Sequence, residues 1–463
     1  IDRAYSACPP CTPARLGVRP GPYPSLHGGV YNGVTPDPFP QPLLPEALNA
    51  AGYHTALIGK HHFVRRKHEN RHMGAPEWDD PGYVDYFRSW HGPYVGFREF
   101  HGNSGHTISG RPSQHYRAWL EERAPSYRQW FPNAGGEANE FGSCSIPAEL
   151  TDSQWCADRT IELIEREHDK PWYCWTCFQD PHGPFVCPEP WYSRVDRAAM
   201  RLPEGYREGE FSDKPPFYRR LYEDAGFWGD KDFNADGIAF PATYRVDLYE
   251  EHKLECLQAT LGMVLHLDYQ VGRILDALER SGQLDNTIIV FSTDHGEMLG
   301  QHGLWAKGGT AYDGHQRIPL IAWGPGQGVA ARGRLDTVAS LVDLPRTFCA
   351  LAGADVPQGM QGCDLSPLLT GAGDHVQDGV LVEYRGSREQ IHQHTYVTPG
   401  HKLVVYKDNP GWGELYDLQN DPEQYHNLWS DPARAGLRSE LLLGLARHHM
   451  ASEAHVLPRV SFA

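Results

Sequence analysis

Through most of this chain, short apolar runs rich in β-branched and aromatic residues alternate with stretches of helical periodicity. Few architectures accept that order. Strand, helix and strand in succession imply parallel strands joined by crossover helices, hence an α/β fold with a mostly parallel sheet covered on both faces. The clearest instance lies between residues 253 and 291. Leu257, Leu261, Val264, Leu265, Val271, Leu275 and Leu278 fall at helical spacing and predict a helix from about Lys253 to Arg280 with that stripe as core. After Ser281-Gly282, the run Thr287-Ile288-Ile289-Val290-Phe291 reads as a strand. It delivers Asp294 and His295 at its carboxyl end, where open α/β sheets place their ligands. Upstream, Pro42–Leu48 opens a short helix before a strand at Thr55–Ile58, and Thr151-Asp152-Ser153-Gln154 forms a capping box ahead of a helix ending near His168.

The pattern changes near residue 376. Alternating runs at Val380–Tyr384, His392–Val397 and Leu403–Tyr406 predict antiparallel strands, followed by a helix from about Asp431 to His449. The chain therefore divides into an α/β domain over 1–375 and a smaller α+β subdomain over 376–463. The stretch from Pro188 to Arg245, rich in Pro, Tyr, Arg and Asp, reads as a long excursion over the mouth of a site, where selectivity is commonly carried.

Composition narrows the function classes. A formal net charge of −17 repels polyanions and argues against nucleic acid as a partner. No run approaches the ~18–20 apolar residues of a membrane span. The chain opens on Ile1 with no signal-like stretch, which leads us to expect that processing or truncation removed the true beginning. Ten cysteines in 463 residues are too sparse for a disulfide scaffold. Two C-x-x-C pairs, Cys8/Cys11 and Cys174/Cys177, raise a zinc or redox alternative. The second pair falls in a strand-like run, where residues three apart point to opposite faces and cannot chelate one ion. Buried cysteines acting as small hydrophobes are the expectation there.

The pentad Cys11-Thr12-Pro13-Ala14-Arg15 carries the most chemistry, yet it is short enough to arise by chance. Its company is what matters: Gly59-Lys60-His61-His62 after a strand, Phe178-Gln179-Asp180-Pro181-His182-Gly183-Pro184-Phe185, Ser292-Thr293-Asp294-His295-Gly296-Glu297, His302-Gly303-Leu304-Trp305-Ala306-Lys307, and Leu415–Glu423. In content and order these segments resemble the signatures of the type I sulfatases of the alkaline-phosphatase superfamily. The resemblance covers nearly the whole chain, and the Asp294-His295 pair leans toward the iduronate-2-sulfatase-like group.

What the resemblance implies is specific. Cys11 becomes formylglycine, made by a formylglycine-generating maturation enzyme that reads C-x-P-x-R. One hydroxyl of its hydrate attacks sulfur, and the other collapses to the aldehyde and expels sulfate by C–O cleavage. Arg15 orients the hydrate, Lys60 and Lys307 hold the sulfate, and His62 and His182 manage protons and the leaving group. Asp294, His295 and the residue at position 11 bind one divalent metal, calcium. A cationic pocket and that metal admit a sulfated substrate despite the negative net charge. The same resemblance slightly favours export, and the compartment stays open. The family also carries an acidic strand well before the pentad, so the expectation is that a central strand and at least one metal ligand lie upstream of Ile1. Three rivals stay open: a phosphonate or phosphate monoester hydrolase of the same superfamily, a non-catalytic binder of sulfated glycans, and a Cys8/Cys11 thiol or zinc module. The residues alone leave His61, His302 and His315 structural or undecided, since a lone histidine is more often satisfied by hydrogen bonds than catalytic.

Overall fold

The computed structural model describes residues 1–19, 21–32, 34, 43–63, 70, 72–105, 112–131, 141–223, 250–386 and 391–453. Pro42 and residues 224–245 of the expected excursion lie outside them. Parallel pairing dominates the first three quarters of the chain. Strand β2 (His54–Gly59) lies between β3 (Glu99–Gly102) and β5 (Trp172–Cys177), parallel to both. Strand β1 (Arg3–Tyr5) pairs in parallel with β10 (Val338–Ser340) and antiparallel with β8 (Arg317–Ile318). A parallel pair joins β4 (Phe141–Cys144) to β6 (Phe185–Pro188), and an antiparallel pair joins β7 (Ile289–Ser292) to β9 (Leu320–Trp323). Among the described residues, β5 pairs only with β2, and β7 only with β9.

The helices follow local signals closely. Helix α1 (Cys11–Val18) starts at the pentad, and α2 (Leu44–Ala50) precedes β2 as the proline-led run predicts. Helix α3 (Asp152–Glu165) is capped by the Thr151 hydroxyl, which accepts the Gln154 N–H at 3.2 Å. The reciprocal half of the capping box is not made, because the Gln154 side chain turns forward to Asp158 at 2.9 Å. Helix α5 spans Lys253–Arg280, the predicted bounds; α4 (Phe217–Glu223) lies in the excursion.

The buried face of α5 differs from the predicted stripe. Leu257 and Leu278 are buried, but Leu261 is 37% exposed, Val264 44%, Leu265 41% and Leu275 36%. The covered face carries Cys256, Ala259, Thr260, Gly262, Met263, His266, Gln270 and Ala277. The cause is close approach: a Cβ on Gly262 would stand 2.7 Å from the Cys187 sulfur of β6. Small side chains let the helix press against its neighbours, while Gln270 bonds Gln154 at 2.9 Å and Arg273 bonds Asp158 at 2.8 Å on α3. No helix among the described residues is long and apolar enough to cross a membrane.

In the C-terminal quarter, β11 (Val380–Arg385), β12 (His392–Val397), β13 (His401–Tyr406) and β14 (Gly413–Asp417) form an antiparallel sheet in sequence order. Strand β14, built from Leu415-Tyr416-Asp417, is the one the alternation does not predict. Period-2 alternation splits the faces. Leu381, Tyr396, Leu403 and Leu415 pack under Leu441 and Leu445 of α7 (Ala435–Ala451), with α6 (Asp343–Ala352) elsewhere flanking the β10 sheet. Val380, Val382, Val397 and Tyr416 pack on Tyr5 of β1 and Val338 of β10. The C-terminal sheet thus rests directly on the strand that leads into the pentad.

The core holds neutral histidines. His61, fully buried, meets Gln114 through Nε2 and the Tyr94 hydroxyl through Nδ1, each at 3.1 Å. Burial pushes its pKa down to about 3. Its unfolded value lies near 6.5, so this stabilisation is complete above that pH and is lost as pH falls toward 3. Asp343 works the other way, since burial lifts it to about 6 and favours its neutral form at low pH. A single-residue difference therefore isolates His61. In urea unfolding, the stability gap between wild type and His61→Gln narrows by about 2 kcal/mol on going from neutral pH to about 5. A gap independent of pH would show that His61 is not held neutral.

Candidate active site

The motif residues converge because each sits at the end of an element. Cys11 is the first residue of α1, and Arg15 lies one turn on. Lys60 follows β2, His182 follows β5, and Asp294 and His295 follow β7, all at carboxyl ends. The Ser6 hydroxyl, just after β1, reaches the carbonyl of Asp294, and the Thr12 N–H is taken up by Asn32 at 2.9 Å. The start of α1 is thereby tied to the β7 loop.

Arg15 organises the floor. Its Nε donates to Asp294 Oδ2 at 2.8 Å, and NH1 donates to the Lys60 carbonyl at 3.1 Å. Burial alone would weaken the guanidinium's charge, but Asp294, Cys177 and Cys11 together more than offset it. Burial would likewise raise the Asp294 carboxyl; His295, Arg15, Lys60 and Lys307 hold it well below its usual range. Cys177, at the end of β5, also bonds Arg15, and burial pushes its thiol up to about 11.

Cys11 is 1% exposed, with Sγ 3.0 Å from His295 Nε2 and 3.9 Å from Lys60 Nζ. Burial would raise its thiol, yet Lys307, Lys60 and His295 overcome that and hold it well below the ordinary value. Any anionic group at position 11 is stabilised there. His295 Nδ1 meets the Gly296 carbonyl at 2.8 Å, which places a proton on Nδ1 and turns Nε2 toward residue 11. His182 repeats that arrangement, with Nδ1 at 2.6 Å from the Gly183 carbonyl. Burial, then Lys307 and Lys60, push its pKa well down.

Position 11 Sγ, a carboxylate oxygen of Asp294 and a ring nitrogen of His295 lie within 4.8 Å of one another, the sole such group of three among the described residues. Arg15 occupies Asp294 Oδ2, leaving Oδ1 toward His295. The set fits part of a divalent-cation shell. It falls short of the six to eight oxygens that calcium takes.

Cys11, Arg15, Lys60, His182, Asp294, His295 and Lys307 therefore act on one another electrostatically. His62 is the looser member. It takes a left-handed backbone conformation, φ 50°, is only partly buried, and is not among the leading charges on Cys11. Three other histidines have structural surroundings: His61 as above, His302 bonded to Glu210 at 3.1 Å and stacked on Tyr312, and His315 against Thr310 and Met298. The zinc or redox alternative finds no support in geometry: Cys8 packs in an apolar cluster while Cys11 faces His295. Cys174 and Cys177 pack in different clusters, on opposite faces of β5.

Sequence reasoning missed Glu297. Its carboxyl is raised by burial and faces Lys307, His295 and Cys11. Its place within the Asp294–Glu297 segment was the available signal. Cys177 gave none, since only the fold brings it under Arg15.

Comparison with known proteins agrees with this geometry. The sulfatase family model matches residues 1–354, and a second model, described as N-sulphoglucosamine sulphohydrolase, C-terminal, matches residues 300–450. The chain is 28% identical to an uncharacterized sulfatase of Escherichia coli strain K12 over 95% of its own length and 78% of the relative's. It is 25% identical to an arylsulfatase of Clostridium perfringens, covering 92% of this chain and 82% of that one. In fold it is similar to the crystal structure of the phosphonate monoester hydrolase of Agrobacterium radiobacter, with a TM-score of 0.75 at 23% identity, covering 98% of this chain and 89% of the other. With a family model spanning the pentad, both lysines and the Asp294-His295 pair, the chain belongs to the sulfatase family, a family of sulfuric ester hydrolases.

Proposed function

We propose that this sulfatase cleaves sulfate monoesters on a glycan or an aryl alcohol, with Cys11 converted to formylglycine and a divalent metal, calcium, bound at Asp294, His295 and position 11. The carrying observation is the set of cations around a buried residue 11: Lys60, Lys307 and the Arg15–Asp294 pair. A sulfate monoester spreads negative charge over its outer oxygens, so attack at sulfur needs fixed positive groups in a site closed to water. When present, formylglycine supplies a hydrated aldehyde as nucleophile, and the metal supplies charge that lowers a hydroxyl pKa and fixes the sulfate.

The chain's own groups then have distinct tasks. Lys60 and Lys307 hold the sulfate oxygens. Arg15 keeps Asp294 ionised and in register with residue 11. His182 presents Nε2 toward the leaving oxygen, because Nδ1 is committed to Gly183. Burial first, then Lys307 and Lys60, hold it neutral, and an arriving anion cancels the lysines' share. His62 assists with the leaving group. The remaining metal ligands come from oxygens beyond these three residues.

The second reading, a phosphonate or phosphate monoester hydrolase, has behind it the likeness in fold to the Agrobacterium radiobacter structure. Rates on an aryl sulfate and the matching phenyl phosphonate separate the two: the sulfate ester is turned over faster, and the reverse order transfers the assignment to the phosphonate. A non-catalytic glycan binder turns over neither.

Mass spectrometry of the tryptic peptide Ala4–Arg15, from protein made alongside a maturation enzyme, detects aldehyde or its hydrate at Cys11 and unmodified thiol at Cys8. Unmodified sulfur at both positions, with a control sulfatase converted in the same cells, removes the formylglycine assignment. Arg15→Lys keeps a positive charge but cannot span Asp294 and the Lys60 carbonyl together. We expect kcat/KM to fall by about 100-fold or more with the circular dichroism spectrum retained. Wild-type kinetics in that variant would dismiss the bridging role.

A further inference from the structure

The C-terminal sheet carries a polar patch buried where an apolar one would pack. Lys402 on β13 and Glu414 on β14 are both fully buried. Lys402 Nζ donates to the Ala311 carbonyl at 2.6 Å, to Asp313 Oδ1, and to Gln424 Oε1 at 3.3 Å. Asp313 also accepts the Tyr5 hydroxyl through Oδ2 at 3.3 Å. Glu414 gathers the hydroxyls of Tyr406, Tyr416 and Tyr218, the last at 2.8 Å from α4. The Tyr218 oxygen in turn accepts the Ala311 N–H at 2.9 Å. Both backbone groups of Ala311 are therefore held by a network anchored in the C-terminal sheet.

Ala311 lies four residues beyond Lys307 in the segment that runs from Trp305 to Asp313. The same segment is pinned before the lysine, where the Ala306 carbonyl accepts the Met298 N–H at 3.1 Å. Between the pins, a Cβ on Gly309 would stand 2.9 Å from the Tyr384 ring and 3.1 Å from Ile391, so the segment lies flush on the C-terminal sheet. Burying an ammonium is costly unless it is paired and hydrogen-bonded. A side chain that only filled this space would be apolar; one that fixes a carbonyl must donate.

We propose that Lys402, together with Tyr218 and Glu414, is a positioning residue that sets the backbone bearing Lys307, so that the C-terminal sheet fixes where the sulfate-holding ammonium stands. This rests on the assignment of Lys307 as a sulfate-holding group. Lys402 touches no reacting atom and acts through the Ala311 backbone.

The test is a double-mutant cycle on the matured full chain with calcium, read as kcat/KM on an aryl sulfate. Lys402→Met lowers kcat/KM by about tenfold or more in the wild-type background, but by no more than about twofold once Lys307→Ala is present, because the group being positioned is gone. A merely structural lysine loses the same factor in both backgrounds, and that additive result overturns the proposal. Should Lys402→Met fail to fold, Tyr218→Phe replaces it in the cycle, since it removes the hydroxyl under Ala311 and keeps the ring. Should wild type turn over no ester, the hydrolase reading fails by itself. The cycle is then read as affinity for inorganic sulfate by calorimetry: a Lys402→Met weakening confined to proteins that retain Lys307 upholds the positioning role, and an equal weakening without Lys307 overturns it.

Discussion

One ion pair sets the geometry on which everything else is built. Arg15 and Asp294 meet at 2.8 Å across 279 residues of chain, nearly closed to solvent. Neither charge is affordable alone in that position; removing one partner of such a pair costs about 3–5 kcal/mol. Together they lock the first turn of α1 to the loop after β7. That lock places residue 11 beside His295, and it presents Asp294 Oδ1 on the same side. The lysines are added around this pair: Lys60 sits on the loop whose carbonyl Arg15 also holds.

How much of this was legible in the sequence follows from what local patterns encode. The resemblance of short segments to the sulfatase signatures named Cys11, Arg15, Lys60, His62, His182, Asp294, His295 and Lys307, and the structure brings Cys11, Arg15, Lys60, His182, Asp294, His295 and Lys307 into one electrostatic cluster. The bounds of α5 were equally plain, because a 28-residue helix repeats its pattern many times. The face it buries was not. Periodicity weights large apolar residues, whereas the true contact face is chosen by how near β6 and α3 come, which favours Gly262, Ala259 and Cys256. Partners set by long-range pairing were also silent: nothing near Cys177 says that it lies under Arg15, and nothing near Lys402 says that its ammonium ends on Ala311.

The C-terminal sheet shows why a boundary drawn from strand pattern does not separate function from support. One of its faces is covered by α7, while the other meets Tyr5 and Val338 of the β1 sheet. Polar groups then continue where those apolar contacts end, through Lys402, Asp313 and Tyr5. The strand entering the pentad and the segment bearing Lys307 are thus referenced to the same surface, so two parts of the site share one support.

The burial of Cys11 has a consequence for the order of events in making the protein. A sulfur that is 1% exposed, under His295 and at the root of a helix whose first turn is tied to Asn32, offers no approach to another macromolecule. An enzyme that oxidises this side chain must therefore finish before α1 docks on the β7 loop. If Cys11 is converted as proposed, modification and folding would compete for the same chain, and closure of the Arg15–Asp294 pair would end the time available. On that proposal, a chain that folded first would keep its thiol, and only unfolding would reopen the choice.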